Sequence, residues 1–181
     1  MRRADTRTLL AAVDAQYSND RTAVACVTFH DWADPIAAAE YFSALPAAEA
    51  YAPGEFFRRE LPCILSALRL LPELPALVLI DGYVWLDGEG RRGLGAHLFD
   101  ALGGKVAVVG VAKRSFHGAK HAAPVLRGES ERPLLVTAEG IPLAAAVAGV
   151  QSMHGPFRIP TLLKRVDRLC REALEGRGPA A

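Results

Sequence analysis

Five residues in this sequence have types and positions suited to metal and phosphate chemistry. Asp14 closes the apolar run Leu10–Val13, and Asp81 closes the run Leu77–Ile80. A carboxylate beside a buried strand is costly unless it is paired or ligates a cation. Strand ends in α/β sheets also face the crevices where ligands sit. Each aspartate alone has a plainer reading, because aspartate caps turns and Asp81-Gly82 is an ordinary turn signal. Glu60 is the third acid; its plainer reading is a solvated helix glutamate paired with Arg58 or Arg59. Asp167 is the fourth, with an i,i+4 ion pair to Arg171 as the alternative. Lys113 follows the apolar run 105–111 and is placed to neutralise a phosphate or orient a water, or simply to solubilise a strand end. Spacing alone does not bring these five side chains together.

The elements that must position them follow from the hydrophobic pattern. Leu9–Tyr17 and Thr22–Phe29 read as strands paired through a turn at Ser18–Arg21, and Ala37–Leu45 suits a third antiparallel strand. Pro46–Gly54 reads as a loop. Glu55–Leu71 reads as a helix disturbed at Pro62, so that Leu61–Leu71 is its better part and Glu60 lies near a break. Leu77–Ile80 and Lys105–Val111 are buried strands with a helix at Gly93–Leu102 between them. Residues 114–133 form a polar excursion with room for a short hairpin. A last strand at Leu134–Thr137 and helices at Pro142–Met153 and Ile159–Leu174 complete the domain, which spans residues 1–175, with 176–181 as a flexible tail. The final helix carries Leu162, Leu163, Val166, Leu169 and Cys170 on one face. Strands in series followed by alternating strands and helices predict an α/β fold, a mixed sheet covered by helices.

The length of 181 residues fits one domain, and 51% hydrophobic with 23% charged residues is the composition of a folded chain. The net charge of +1 hides an asymmetry. Residues 1–104 carry 9 Lys/Arg against 14 Asp/Glu, whereas residues 105–181 carry 12 against 6. That split fits acids gathered on one side and phosphate-meeting bases on another, or equally well solvated helix faces. Cys26, Cys63 and Cys170 lie apart in apolar stretches and read as buried free thiols. The five histidines lack metal-ligand spacing. Trp32 and Trp85 read as packing anchors. No secretory leader or membrane-length apolar run stands out, which points to a cytoplasmic protein.

Several segments, in order, resemble the endonuclease V family. They are AVDAQY (Ala12–Tyr17), YAPGEFFRRELP (Tyr51–Pro62), VLIDGY (Val78–Tyr83), RRGLGAHL (Arg91–Leu98), VVGVAKRSFHG (Val108–Gly118) and RIPTLLKRVDRL (Arg158–Leu169). Together they cover most of the chain. The resemblance implies a ribonuclease H-like α/β fold and a magnesium-dependent endonuclease, with manganese able to substitute. It implies as substrate inosine-containing DNA or RNA, cut at the second phosphodiester on the 3′ side of inosine, and a monomer with no membrane partner. The chain starts almost directly at its first strand, so the resemblance also implies a member short of the family's N-terminal helical segment.

Carried over by residue, the resemblance implies that Asp14, Glu60 and Asp81 are metal ligands, with Lys113 as the catalytic lysine. It implies a further metal-binding role for Asp167. Tyr51, Ala52 and Pro53 fall at the strand-separating wedge. Gly54, Phe56, Gly82 and Leu94 fall where an extruded base is held, largely by backbone. Two alternatives stay open on sequence: a nuclease of other lesion or structure specificity, and a nucleic-acid-binding protein of reduced activity.

Overall fold

A computed structural model describes residues 8–46, 56–116 and 119–177. Among these, seven strands form one mixed sheet and four helices cover it. The strands are β1 (Leu10–Tyr17), β2 (Arg21–Phe29), β3 (Ala39–Pro46), β4 (Leu77–Ile80), β5 (Ala107–Ala112), β6 (Ala123–Val125) and β7 (Leu134–Glu139). The helices are α1 (Phe56–Leu68), α2 (Leu94–Ala101), α3 (Leu143–Ser152) and α4 (Thr161–Leu174). Spatial order across the sheet is β3-β2-β1-β4-β5-β7-β6. The first three strands form an antiparallel meander, and β4 and β5 then join β1 in parallel. This is the expected α/β architecture.

Alternation along the strands divides the core into two layers, because successive side chains of a strand face opposite sides. Leu10, Ala12, Leu77 and Leu79 pack with α3 and α4. Ala11, Val13, Val78 and Ile80 pack with α1 and α2. Both faces are covered, which is why β1, β4 and β5 read as continuous apolar runs. Cys26, Cys63 and Cys170 are free and buried, as expected.

Three readings change. Helix α1 runs through Pro62 without a break and ends at Leu68, three residues early. A proline inside a helix costs about 3 kcal/mol. Burial of Cys63, Ile64, Ala67 and Leu68 against the sheet offsets that cost, at roughly 1.5–3 kcal/mol for each large side chain. Glu60 therefore stands on continuous helix. The polar excursion contributes one short edge strand, β6, paired with β7 rather than a hairpin of its own. Finally, β7 extends two residues past Thr137 and pairs with β5 as far as Glu139. Residues Gly176 and Arg177 end the described chain, so the rest of the expected tail lies outside it, as does the wedge at Tyr51–Pro53 together with Gly54. Among the described residues no helix is long and apolar enough to cross a membrane.

Register sets the positions of the acids. Val13 pairs with Ile80 across parallel strands β1 and β4, so Asp14 and Asp81 leave neighbouring strands in step. Ile80 pairs with Gly110 on β5, which brings Lys113 to the same sheet edge. The Asp81-Gly82 turn lies directly over β5. Gly82 has φ +140°, a conformation side-chain-bearing residues avoid. A Cβ at Gly110 would sit 2.5 Å from the Gly82 carbonyl oxygen and 2.9 Å from the Val84 nitrogen. Gly110→Ala is therefore expected to destabilise the fold by about 1–3 kcal/mol, the usual overpacking cost, and to displace Asp81. A urea titration and the cutting assay described below read the two effects separately.

Candidate active site

Asp14, Asp81, Lys113 and Asp167 line one pocket, walled by Val13, Ile80, Val111, Leu134, Ile159, Leu163 and Val166. Each arrives from a different element. Asp14 continues the Leu10–Ala12 side of β1 and so faces α4, which presents Asp167 one turn beyond Leu163. The Gln16 side-chain amide stands 3.2 Å from Asp14 Oδ2 and 3.2 Å from Asp167 Oδ1, donating to both. The Lys113 ammonium donates to Asp81 Oδ2 at 2.6 Å, with both side chains roughly half exposed. Arg171 pairs with Asp167 one helical turn on, so the simple i,i+4 reading of Asp167 holds as well.

Glu60 approaches from the other layer. On α1 it extends the buried stripe of Ile64, Ala67 and Leu68 toward the carboxyl end of β1. There the neighbouring Arg59 guanidinium lies 3.8 Å over the Tyr17 ring. Glu60 is not among the residues walling the pocket, yet the charges of Asp14 and Asp81 act on it.

Burial raises the Glu60 carboxyl to about 8, the negative charges of Asp14 and Asp81 adding to the effect and Arg59 opposing it. Asp14 is raised to about 6, again chiefly by burial; Gln16 opposes this, while Asp81 and Asp167 add to it. Burial alone would pull the Lys113 ammonium down. The Asp81 hydrogen bond and the charges of Asp81, Asp14 and Asp167 outweigh it and hold Lys113 above its ordinary value. Lys113 is therefore a fixed cation here and unsuited to taking a proton. Among the described residues, no three Asp, Glu, His or Cys side chains converge tightly enough to cage a metal ion as they stand.

The remaining expected residues are placed as follows. Gly82 forms the turn after Asp81. Phe56 begins α1. Leu94 is 6% exposed and packs in the α2 layer with Val84 and Leu98. Gln16 and Tyr83 add parts that the sequence reading did not single out. Gln16 was accessible in principle, since two residues after Asp14 on a strand means the same face. The Tyr83 hydroxyl donates to the Arg114 carbonyl at 2.7 Å and accepts the Phe116 N–H at 3.2 Å. It thereby ties the Asp81 turn to the segment that follows Lys113. Nothing in the spacing of Tyr83 announced that tie.

The family model of Endonuclease V matches residues 2–161 of this chain. The chain belongs to the endonuclease V family. It is 32% identical to Endonuclease V of Streptomyces avermitilis over 92% of its own length and 80% of that protein. It is 35% identical to Endonuclease V of Thermus thermophilus over 74% of its own length and 58% of that one. The fold follows the same relationship. The crystal structure of the Streptomyces avermitilis endonuclease V matches with TM-score 0.72 and 30% identity, covering 93% of this chain and 82% of that one. The Ciona intestinalis endonuclease V, solved with a 24mer DNA containing an inosine followed by a ribo-adenosine, matches with TM-score 0.79 at 19% identity over 96% and 88%. At that identity the second match speaks for the endonuclease V fold alone.

Proposed function

We propose that this endonuclease V chain is a magnesium-dependent endonuclease of ribonuclease H-like design, hydrolysing a phosphodiester near inosine in DNA or RNA. The observation that carries the reading is the convergence of Asp14, Asp81 and Lys113 at one edge of three adjacent parallel strands, with Asp167 above them. Membership in the family supports the nuclease reading and, with it, the substrate.

The donor set fits a hard divalent cation. Asp14, Glu60 and Asp81 are oxygen donors near enough to repel one another, and burial leaves Asp14 and Glu60 short of counter-charge. These three would hold magnesium or manganese, with Asp167 next to them; a bound cation would supply the charge that polarises the phosphate and acidifies a water. The chain's own residues do the rest. Lys113, a permanent cation, neutralises charge building on the phosphoryl oxygens. Gln16 holds Asp14 and Asp167 in fixed orientation. The tight turn at Gly82 leaves backbone free to approach an extruded base, whose removal from the stack costs about a few kcal/mol and least where pairing is weak.

The test uses end-labelled strands carrying a single inosine, uracil, abasic site or mismatch, in magnesium or in EDTA. Cutting one nucleotide beyond inosine, lost in EDTA, is the expected result. Cutting at another lesion would replace inosine as the substrate, and binding with no cut in magnesium would defeat the nuclease reading.

A further inference from the structure

Two troughs share Lys113 and Arg158. One, of about 770 Å³, is lined by Lys113, Arg114, Arg132 and Arg158 among others. The second, of about 550 Å³, lies against the acidic pocket and shares Lys113, Ile159, Leu163 and Asp167 with it. Its apolar lining is Ile159 and Leu163 with the exposed Phe157, and the exposed side chains of Lys164 and Arg171 stand at its rim. Phe157 is 66% exposed, and the Lys164 ammonium lies 5.7 Å from its ring centroid.

An exposed phenylalanine alone means little. The backbone that carries this one is held in place by a buried side chain. Arg127, only 5% exposed, reaches under the loop between α3 and α4 and donates to four backbone carbonyls. They are those of Met153, Gly155, Phe157 and Arg158, with the bond to Phe157 at 2.9 Å. Arg158 braces the far side through the carbonyls of Lys113, Arg132 and Pro133. Burying a guanidinium on neutral acceptors has a desolvation cost, and here it fixes the backbone that presents the aromatic ring. An exposed ring on a braced backbone, beside apolar Ile159 and Leu163, with cations at the rim and a phosphate-chemistry pocket alongside, has the composition of a single-strand platform: bases stack while the backbone meets the charges.

Resting on the nuclease reading above, we propose that Phe157, with Lys164 and Arg171, forms a stacking subsite for one unpaired nucleotide of the substrate strand beside the scissile phosphate. The occupant is a base with its phosphate, because the trough joins an apolar lining to a cationic rim, and its volume lies within the roughly 300–1,000 Å³ of small-ligand sites.

The experiment measures anisotropy of labelled single-stranded DNA and RNA oligonucleotides at low salt, in EDTA and again in calcium, with abasic sites moved one position at a time. For the wild-type chain, one abasic position is expected to weaken binding roughly tenfold, in line with the loss of one aromatic stack. Phe157→Ala should lose a similar factor on the intact strand and become indifferent to that position, while Phe157→Trp restores both. Lys164→Gln should lower the slope of log affinity against log salt by about one. Thermal melting controls for folding, which an exposed side chain should leave unchanged. If the wild-type chain binds and cuts inosine strands and Phe157→Ala matches it at every abasic position, the subsite is wrong and the nuclease reading stands. If the wild-type chain binds no strand in either buffer the subsite is wrong, and if it also cuts no inosine strand in magnesium both are wrong.

Discussion

Asp81→Asn is expected to reduce single-turnover cutting of an inosine strand by about a thousandfold, equivalent to roughly 4 kcal/mol of lost transition-state stabilisation. Asp81 lies at the centre of the site. It follows β4 between the strands that deliver Asp14 and Lys113, its carboxylate accepts from the Lys113 ammonium, and its charge acts on both Asp14 and Glu60. The amide keeps the shape of the side chain but removes a hard anionic donor, so cation affinity falls while the fold is retained. Lys113 is then left with Asp14 and Asp167 as its anionic neighbours, drawn away from a phosphate above Asp81. Strand binding should hold or improve, since one negative charge facing the nucleic acid has gone. Lys113→Ala should cost less, on the order of a hundredfold, the scale for removing one electrostatic donor. Retention of Asp81→Asn cutting within tenfold of wild type would remove Asp81 from the metal site whatever the substrate.

Strand-end acids were the most legible part of this site. Asp14 and Asp81 each terminate an apolar run, and a two-face-covered sheet makes such runs easy to see. Their side-by-side placement was not legible, because it needs the parallel register Val13 to Ile80, a long-range pairing that no local pattern encodes. Asp167 rests mainly on the family resemblance. Its proximity to Asp14 depends on how α4 crosses β1 and β2, and helix crossing is decided by packing rather than by sequence spacing. For Glu60 the local context differs from the sequence expectation. The proline penalty at Pro62 is real, yet tertiary burial of the following turn outweighs it and keeps Glu60 on the face of α1 that meets the sheet. The braces formed by Tyr83, Arg127 and Arg158 were invisible because they bind main-chain carbonyls and amides, which carry no sequence signature.

The metal-free chain is expected to lose stability as pH rises from about 4 to 8, and magnesium is expected to restore it only at the upper end. The sign follows from the raised carboxyls. Asp14, raised to about 6 from an ordinary 3.8, and Glu60, raised to about 8 from 4.5, hold protons more tightly in the folded than in the unfolded chain. The stability they contribute is therefore complete below about pH 4. It is lost as pH climbs through 6 for Asp14 and through 8 for Glu60, when two partly buried anions must coexist. For Asp14 alone the span corresponds to something on the order of 3 kcal/mol. In a chain of this size Asp14 alone means a fall in Tm of about 6–12 °C, and Glu60 adds to the fall between pH 4.5 and pH 8.5 in EDTA. Glu60→Gln should flatten that slope and raise the Tm at pH 8.5, a gain in stability made at the expense of activity. Cation and protons then compete for the same oxygens, so cutting should rise with pH through this window, and more magnesium should move its midpoint to lower pH. Differential scanning fluorimetry across pH, with and without magnesium, reads all of this in one plate. A Tm that is flat with pH in EDTA, or one that magnesium raises equally at pH 4.5 and 8.5, would mean that Asp14 and Glu60 are not the groups a cation relieves.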